Sequence, residues 1–248
     1  MKVAFISDIH EDVVSLSVAL NKIRKLSADK IICLGDIAGY NFKYYDYHHT
    51  RNASECLKML RDNCDIIVPG NHDYHAIKRI PEISPGFDFP PEWYELDHFR
   101  KKEIADRRLW DYDDADLHPK LRSEDADFLS KLNEYEILET ENYDLLLSHY
   151  VFPNLSGMLV DFYRNPEDFN LHFDFMRKNK CMGAVTGHEH MPGFSCVGDN
   201  RVLIKGMGKK QTCSTPFILM APSVADGRNK SGFMILDTIT NKAMSYRI

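Results

Sequence analysis

The sequence predicts an α/β fold, a layered αββα sandwich of two mixed β-sheets flanked by helices, with a helical excursion. Short β-branched apolar runs alternate with amphipathic segments over residues 1–70, the pattern of a parallel sheet built from β-α-β units. After residue 190, strand-like runs follow one another with turns between them, which predicts a second sheet packed on the first. Polar side chains follow several of these runs, at the edge where open α/β sheets bind ligands.

The first half of the chain predicts three strands and two helices. Val13, Leu16, Leu20 and Ile23 recur at helical spacing and predict a helix over Asp12–Leu26, for which Asp12 is the expected N-cap. The other predicted elements are strands at Lys2–Ile6, Lys30–Leu34 and Cys64–Val68, a polar loop from Asp36 to Thr50, and a helix at Ala53–Leu60.

The second half begins with helix signals and ends in strands. Ser123 is expected to cap a helix that runs to Leu132. Asn165 and Pro166 form an N-cap and N1 pair for a helix that ends at Lys178. The predicted strands are Tyr135–Leu138, Asp144–Leu147, Ala184–Thr186, Gly193–Val197, Val202–Lys205, Phe217–Met220, Phe233–Leu236 and Met244–Ile248.

We predict a single domain over residues 1–248, with a helical cap or insertion at about 80–122. Five prolines and both tryptophans fall within 80–121, and a helix is predicted there from Glu92 to Trp110. A cap over the site, a surface for a partner and a solvated helical arm all stay open for this excursion.

Composition narrows the classes of function. The formal charge of -6, from 37 acidic and 31 basic residues, argues against a broad nucleic-acid-binding face. Six cysteines occur without a C-x-x-C pair, which favours a reducing compartment, no disulfide framework and a cytoplasmic location. The chain opens directly into a strand, so no signal peptide is expected, and no apolar run approaches the ~20 residues that span a bilayer.

The polar residues at strand ends are carboxylates, imidazoles and an amide. Such ligands suit Mn, Fe, Zn, Ni or Co without any thiolate. Two ions ~3.5–4 Å apart can clamp a phosphate and generate a nucleophile, provided that a carboxylate bridges them, and Asp36 is the expected bridge. The set is Asp8, His10, Asp36, Asn71, His72, His149, His188 and His190.

Five motifs in a fixed order make a specific resemblance. The chain resembles the calcineurin-like metallophosphoesterases, whose signature is D-x-H, GD, GNHD, a lone His after a strand, and GHxH. The corresponding residues here are Asp8-Ile9-His10, Gly35-Asp36, Gly70-Asn71-His72-Asp73, His149 and Gly187-His188-Glu189-His190.

The resemblance implies a role for each matched residue. Asp8, His10, Asp36 and His190 would bind one divalent or trivalent ion, and Asp36, Asn71, His149 and His188 the other. His72 would contact the phosphate and assist the leaving group, and Asp73 would orient His72 through its second nitrogen. No other cofactor is expected. The histidines that match no motif are His48, His49, His75, His98, His118 and His172.

The run Leu34–Tyr40 resembles the small prokaryotic phosphodiesterase-like branch, which often reads LGDxxGY. Purple acid phosphatases are disfavoured, because Gly39 stands where they carry a Tyr, three residues after the GD aspartate. Serine/threonine protein phosphatases are disfavoured, because their GDxxDRG run is missing from this sequence. The chain departs from the branch at three places. Glu11-Asp12 replaces the Gly-Asn pair that usually follows D-x-H, and Ala221-Pro222-Ser223-Val224 stands in place of N-P-G-S-V. After His149, Tyr150-Val151-Phe152-Pro153 replaces the usual loop of small residues. Asp12, at the position of the Asn in that Gly-Asn pair, could repel a substrate phosphate, or it is simply the N-cap of the first helix.

The implied function is hydrolysis of a small phosphate ester, with phosphodiesters favoured over monoesters. A hydroxide bridging the two ions would attack phosphorus while His72 assists departure of the alkoxide. Two alternatives stay open: a non-catalytic scaffold of the same fold, suggested by the aromatic excursion, and a nuclease, which the net charge disfavours. The sequence leaves the metal identities, the natural substrate and the oligomeric state open.

Overall fold

The computed structural model describes residues 1–84, 86–110, 112, 116–198, 200–225, 227 and 231–248, and only the backbone of residue 116. The strands within these ranges are β1 (Lys2–Ile6), β2 (Lys30–Cys33), β3 (Tyr40–Asn41), β4 (Ile66–Ile67), β5 (Asp116–Leu117), β6 (Tyr135–Glu139), β7 (Asp144–Ser148), β8 (Cys181–Thr186), β9 (Gly193–Gly198), β10 (Arg201–Gly206), β11 (Lys210–Thr212), β12 (Phe217–Met220), β13 (Gly232–Asp237) and β14 (Lys242–Arg247). The helices are α1 (Val13–Lys25), α2 (Ala53–Asn63), α3 (Asn71–Ala76), α4 (His98–Ala105), α5 (Ser123–Ser130) and α6 (Asn170–Lys178).

Two mixed six-stranded sheets carry the fold. The first has the order β11-β14-β13-β1-β2-β4, in which β1, β2 and β4 run parallel. The second has the order β10-β9-β12-β8-β7-β6, in which β7, β8 and β12 run parallel. Parallel strands place their carboxyl ends on one edge, so the polar segments after β1, β2, β4, β7 and β8 are brought to the same side of the molecule.

Alternating side chains divide the core into three apolar layers. Val3 and Phe5 of β1 face the second sheet, where they join Leu147, Val185 and other residues in one buried cluster. Ala4 and Ile6 point the other way and pack with the apolar faces of α1 and α2. On the far side, α6 covers the second sheet. These layers confirm the predicted αββα sandwich of two mixed sheets with flanking helices.

The caps explain where the predicted helix bounds hold and where they are wrong. Asp12 does cap α1, since its carboxylate accepts from the Ser15 amide at 2.9 Å. Ser123 is not a cap but the first residue of α5, which ends at Ser130. Asn165 occupies the expected N-cap position, but the first turn, Pro166–Phe169, is a 3₁₀ helix that precedes α6.

The excursion is less helical than predicted. In place of a helix over 92–110, turns occupy 91–95 and the only α-helix between Glu92 and Trp110 is α4, within the described residues. Asp97 caps α4, and Asp106, which has a left-handed φ of 43°, ends it. Beyond it, Leu109 forms a β-bridge with Leu159. Residues 85, 111 and 113–115 of the predicted cap lie outside the described residues.

No helix within the described ranges is both long enough and apolar enough to cross a lipid bilayer.

Candidate metal centre

Four predicted ligands meet in a first group at the edge of the first sheet. Ligand atoms of Asp8, His10, Asp36 and His190 all lie within 4.8 Å of one another. The Nε2 atoms of His10 and His190 are 3.1 Å apart, and His190 Nε2 is 3.4 Å from Asp8 Oδ1. His190 arrives from the other sheet, after β8, so this group joins the two sheets.

The second group shares Asp36 with the first. Ligand atoms of Asp36, His149 and His188 lie within 4.8 Å of one another. Asn71 adds an oxygen, because its Oδ1 atom is 3.1 Å from both His149 Nε2 and His188 Nδ1. Asp36 Oδ2 lies 3.4 Å from His149 Nε2 and 3.8 Å from His10 Nε2. One carboxylate oxygen thus faces both groups.

Backbone carbonyls determine which imidazole nitrogens face the centre. His10 Nδ1 is 2.8 Å from the Gly39 carbonyl, and His149 Nδ1 is 2.6 Å from the Leu34 carbonyl. A carbonyl only accepts, so each Nδ1 carries the proton and each Nε2 turns a lone pair toward Asp36. In the neutral rings these lone pairs and the carboxylate oxygens point at common positions, which a cation would occupy in place of the Nε2 proton that His149 takes up beside Asp36.

Charge inside this buried cluster favours any cation placed there. Burial opposes the charged form of His149, but the Asp36 carboxylate outweighs burial and raises the pKa of His149 to about 9. Burial likewise opposes the ionised form of Asp8, but His190 and His149 lower the pKa of Asp8 to about 2. The carboxylates and imidazoles thus hold each other in their charged forms, and a bound cation would replace the imidazole protons that balance the carboxylates.

Unusual backbone conformation presents these ligands. Asp8, His10, Asp36, His188 and His190 all have positive φ, between 46° and 69°, a region that costs a non-glycine residue roughly 1–2 kcal/mol. Neighbouring segments hold them there: the amide of Asp8 donates to Gly35 and that of His10 to Asp36. Ser223, in the segment that departs from the N-P-G-S-V pattern, donates to the Asp8 carbonyl at 3.0 Å. Such strain concentrates at functional sites.

His72 lies beside the centre, but its predicted contact with Asp73 is wrong. Asp73 Oδ1 accepts the amides of Ile37 and Ala38, and its Oδ2 accepts the Gly70 amide. No hydrogen bond in the described part of the chain joins this carboxylate to the His72 ring. Asp73 instead ties the loop after β2 to the first turn of α3. Burial and the neighbouring Asp36 raise the pKa of Asp73 to about 7.

Asn71 and His72 lie in the first turn of α3. The His72 amide, near the helix start, donates to Asp36 Oδ1 at 2.9 Å. Because Asp36 Oδ1 accepts this amide, its Oδ2 atom is the oxygen left to face the two groups. The His72 ring lies edge-on to His10, with centroids 4.9 Å apart.

The acidic Glu11 beside the D-x-H motif is neutralised. Its carboxylate accepts from Arg51 Nη1 at 2.7 Å and from the Gly39 amide at 3.2 Å. Both side chains of this pair are largely buried. Glu11 therefore braces the loop after β2, while Asp12, at the position where the branch has Asn, is engaged as the N-cap of α1.

Two glycines leave the room that the ligands occupy. A Cβ at Gly157 would lie 2.7 Å from His188 Nδ1 and 3.0 Å from Asn71 Oδ1. A Cβ at Gly39 would lie 2.3 Å from His72 Nδ1. Both have positive φ, so each position needs glycine for its backbone and for its space.

Sequence reasoning missed an aromatic shell around the centre. Tyr112 Oη accepts from Asn71 Nδ2 at 2.9 Å, which leaves Asn71 Oδ1 pointing at the second group. Trp110 and Phe162 each lie 6.0 Å from the His188 ring, centroid to centroid. These residues come from the excursion and from the loop after β7. They belong to no sequence motif, so only the folded structure shows that they lie around the centre.

The histidines without a motif stay outside both groups. His75 stacks on Tyr112 with centroids 4.0 Å apart. His172 is fully buried on α6 and its Nδ1 accepts from the Phe152 amide at 2.8 Å. Neither is among the residues whose ligand atoms converge. His172 is a core histidine, and it holds the changed segment that follows His149.

Comparisons with known proteins agree with this geometry. A sequence profile described as calcineurin-like phosphoesterase matches residues 1–192. The uncharacterized protein MJ0912 of Methanocaldococcus jannaschii is 44% identical over 250 residues, covering 95% of this chain and 82% of that protein.

Two solved structures share the fold. A metallophosphoesterase from Sphaerobacter thermophilus aligns with a TM-score of 0.67 at 19% identity, covering 100% of this chain and 88% of its own. The hypothetical protein PH1004 from Pyrococcus horikoshii aligns with a TM-score of 0.63 at 15% identity, covering 100% and 87%.

Proposed function

Because this chain belongs to the calcineurin-like phosphoesterase family, we propose that it hydrolyses a small phosphate ester with the help of two bound metal ions. The convergence of acceptor atoms on Asp36 Oδ2 carries this proposal. Asp36 would be shared by both ions. Asp8, His10 and His190 would complete one ligand set, and Asn71, His149 and His188 the other.

The donor set fits Mn, Fe, Zn, Ni or Co, because it contains carboxylate, imidazole and amide oxygen but no thiolate. When bound, such a pair of ions supplies Lewis acidity and an activated water for attack on phosphorus. The chain itself holds the lone pairs in place through the Gly39 and Leu34 carbonyls. The side chains of Asp8 and His149 have no exposed surface, so these two ligands are shielded from bulk water.

His72 is the proposed general acid. Its ring lines the pocket above the centre and is not needed as a ligand in either group. We place it where it donates a proton to the departing alkoxide oxygen, a role that positioned imidazoles perform near neutral pH. Asp73 positions the backbone around Asp36 and His72 without touching the His72 ring.

A phosphodiester suits the pocket better than a monoester does. Lys43 is the one lysine or arginine among its described lining residues, and Arg51 is occupied by Glu11. A phosphodiester carries one negative charge and a monoester carries up to two, so the diester needs fewer positively charged side chains to neutralise it. The excursion, which contributes Trp110 and Tyr112 to the lining, is proposed as a partial cap. We place the activity in the cytoplasm.

The test is hydrolysis of bis-p-nitrophenyl phosphate by protein loaded with Mn²⁺ and analysed for metal content. About two ions per chain and steady turnover are expected from a dinuclear site. Asp36→Asn should lose both ions and the turnover, whereas Asp62→Asn, at an exposed site on α2, should keep both. A fully loaded protein that turns over neither this diester nor p-nitrophenyl phosphate would overturn the proposal.

A further inference from the structure

A pocket of about 530 Å³ opens directly above the metal centre. That volume falls within the range of roughly 300–1,000 Å³ typical of sites for whole small molecules. It is bounded below by Asp36, Asn71, His72, His188 and other residues of the centre. Its upper walls are aromatic, and they leave space for an organic group beyond the phosphate.

One wall is formed by Phe162 and Trp110. Phe162 lies nearly parallel to the His188 ring, at an interplanar angle of 21°, and Trp110 meets Phe162 edge-on at 5.6 Å. Arg164 lies over Phe162, 5.1 Å from the ring centroid, and pairs with the buried Glu189. Phe162 is therefore held firmly, yet 45% of it stays exposed.

The opposite part of the lining comes from the loop after β2. Tyr44 is 46% exposed, and Lys43 lies 5.3 Å from its ring centroid. Tyr45 beside it is buried and lies tilted against His10, with centroids 5.2 Å apart. The loop after β2 and the loop after β7 thus each contribute one partly exposed aromatic side chain to the lining.

Core packing does not account for Phe162 and Tyr44, since each leaves nearly half of its surface in solvent. Partly exposed aromatic side chains that line a concave pocket are suited to binding flat ring systems, and stacking one base on an aromatic side chain is worth about 1–3 kcal/mol. The contact of Phe162 with His188 places such a ring next to the phosphate.

We propose that the substrate is a phosphodiester that carries a flat, nucleobase-sized aromatic group, which stacks on Phe162 in this pocket. The inference rests on the proposed phosphoesterase activity and deepens it. The aromatic group is recognised by its ring face, so the site would accept several ring types. The single lysine in the described lining, Lys43, suits a substrate with few charges.

Two esters with the same leaving group test this. We would compare thymidine 5′-(p-nitrophenyl phosphate) with ethyl p-nitrophenyl phosphate in the Mn²⁺-loaded protein. The expected ratio of kcat/KM is about 5- to 150-fold in favour of the thymidine ester, the range that about 1–3 kcal/mol of stacking provides. Phe162→Ala should bring this ratio close to one, mainly through KM, and Phe162→Tyr should restore it.

Phe99→Ala is the matched control, because Phe99 on α4 is 83% exposed and lines no part of this pocket; the ratio should not change. Equal kcat/KM values for the two esters, unaffected by Phe162→Ala, would overturn the inference while leaving the phosphoesterase activity intact. Hydrolysis of neither ester by metal-loaded protein would instead overturn the proposed activity, and with it the inference.

Discussion

Tyr112 holds the amide of Asn71 in one orientation: its Oη atom accepts from Asn71 Nδ2 at 2.9 Å, while Asn71 Oδ1 lies 3.1 Å from His149 Nε2. An asparagine presents an oxygen to a cation only if its amide is turned the right way, and the two ends of the amide are similar in size. The Tyr112 hydroxyl directs its own proton to Met158 Sδ and so accepts from Asn71, which favours the orientation that turns Oδ1 toward the second group.

Replacing Tyr112 with Phe should weaken the second ion more than the first. The loss of an outer partner of a ligand typically costs about 10- to 100-fold in metal affinity. Titration with Mn²⁺, followed by calorimetry, should show one site weakened by about tenfold or more and the other nearly unchanged. Tyr143→Phe, which removes a hydroxyl bonded to Asn241, is the control. Unchanged affinity at both sites would contradict the orienting role.

Gly157→Ala should disturb the second group through crowding alone. Its Cβ would meet His188 Nδ1 at 2.7 Å, whereas a Cβ at Gly208, which has nearly the same φ, 75° against 76°, meets nothing within 4 Å. Both variants should lose about 1 kcal/mol of unfolding free energy from the left-handed backbone. Only Gly157→Ala should also lower the Mn²⁺ content and the hydrolysis rate.

His72→Ala should slow hydrolysis without removing metal. General acid catalysis typically contributes about 10²- to 10⁴-fold, and the need for it grows as the leaving group becomes more basic. The loss should therefore be larger for an ester with an alkoxide leaving group than for one that releases p-nitrophenolate. His98→Ala, on the exposed α4, serves as control. Equal losses for both leaving groups would point to a binding role for His72.

His172 should make the protein less stable in mild acid. Burial lowers the pKa of His172 to about 3, from an ordinary value of 6.5. The unfolded chain thus takes up a proton before the folded one, and stability falls as the pH drops from 6.5 toward 3. At about 1.4 kcal/mol per pH unit, this residue should account for about 2 kcal/mol between pH 7 and pH 5.

Urea unfolding of His172→Asn at these two pH values checks this. The variant keeps an acceptor for the Phe152 amide but cannot be protonated, so its stability should depend less on pH than that of the parent. His98→Asn, which removes an exposed imidazole, should leave the dependence as it is. An identical dependence in His172→Asn and the parent would exclude His172 as its source.

The sequence was most informative where local pattern and tertiary structure agree. The apolar runs before Asp8 and Asp36 are neighbouring parallel strands of the first sheet, and the run before His149 is a parallel strand of the second, so each sheet collects polar residues at one edge. For the same reason, the meeting of the predicted ligands could be expected from motif order alone. Family membership and the two-sheet sandwich followed from the same pattern.

Other features depend on contacts between distant segments, which no local pattern contains. The backbone amides that Asp73 accepts come partly from Ile37 and Ala38, and such partners leave no mark on sequence spacing. The helix predicted over 92–110 is confined to His98–Ala105. Beyond its end, Leu109 pairs with Leu159, far along the chain, a tertiary contact that local helix propensity does not contain. The roles of Tyr112 and Phe162 are invisible for the same reason.

The left-handed backbone at Asp8, His10, Asp36, His188 and His190 has a consequence for protein engineering. Copying only these side chains onto the strand ends of another α/β scaffold would not transplant the centre, since ordinary loops would aim the same residues elsewhere. The transferable unit includes the inter-loop amide contacts and the Ser223 hydroxyl that hold these conformations. A graft should be judged first by its φ angles and only then by its metal content.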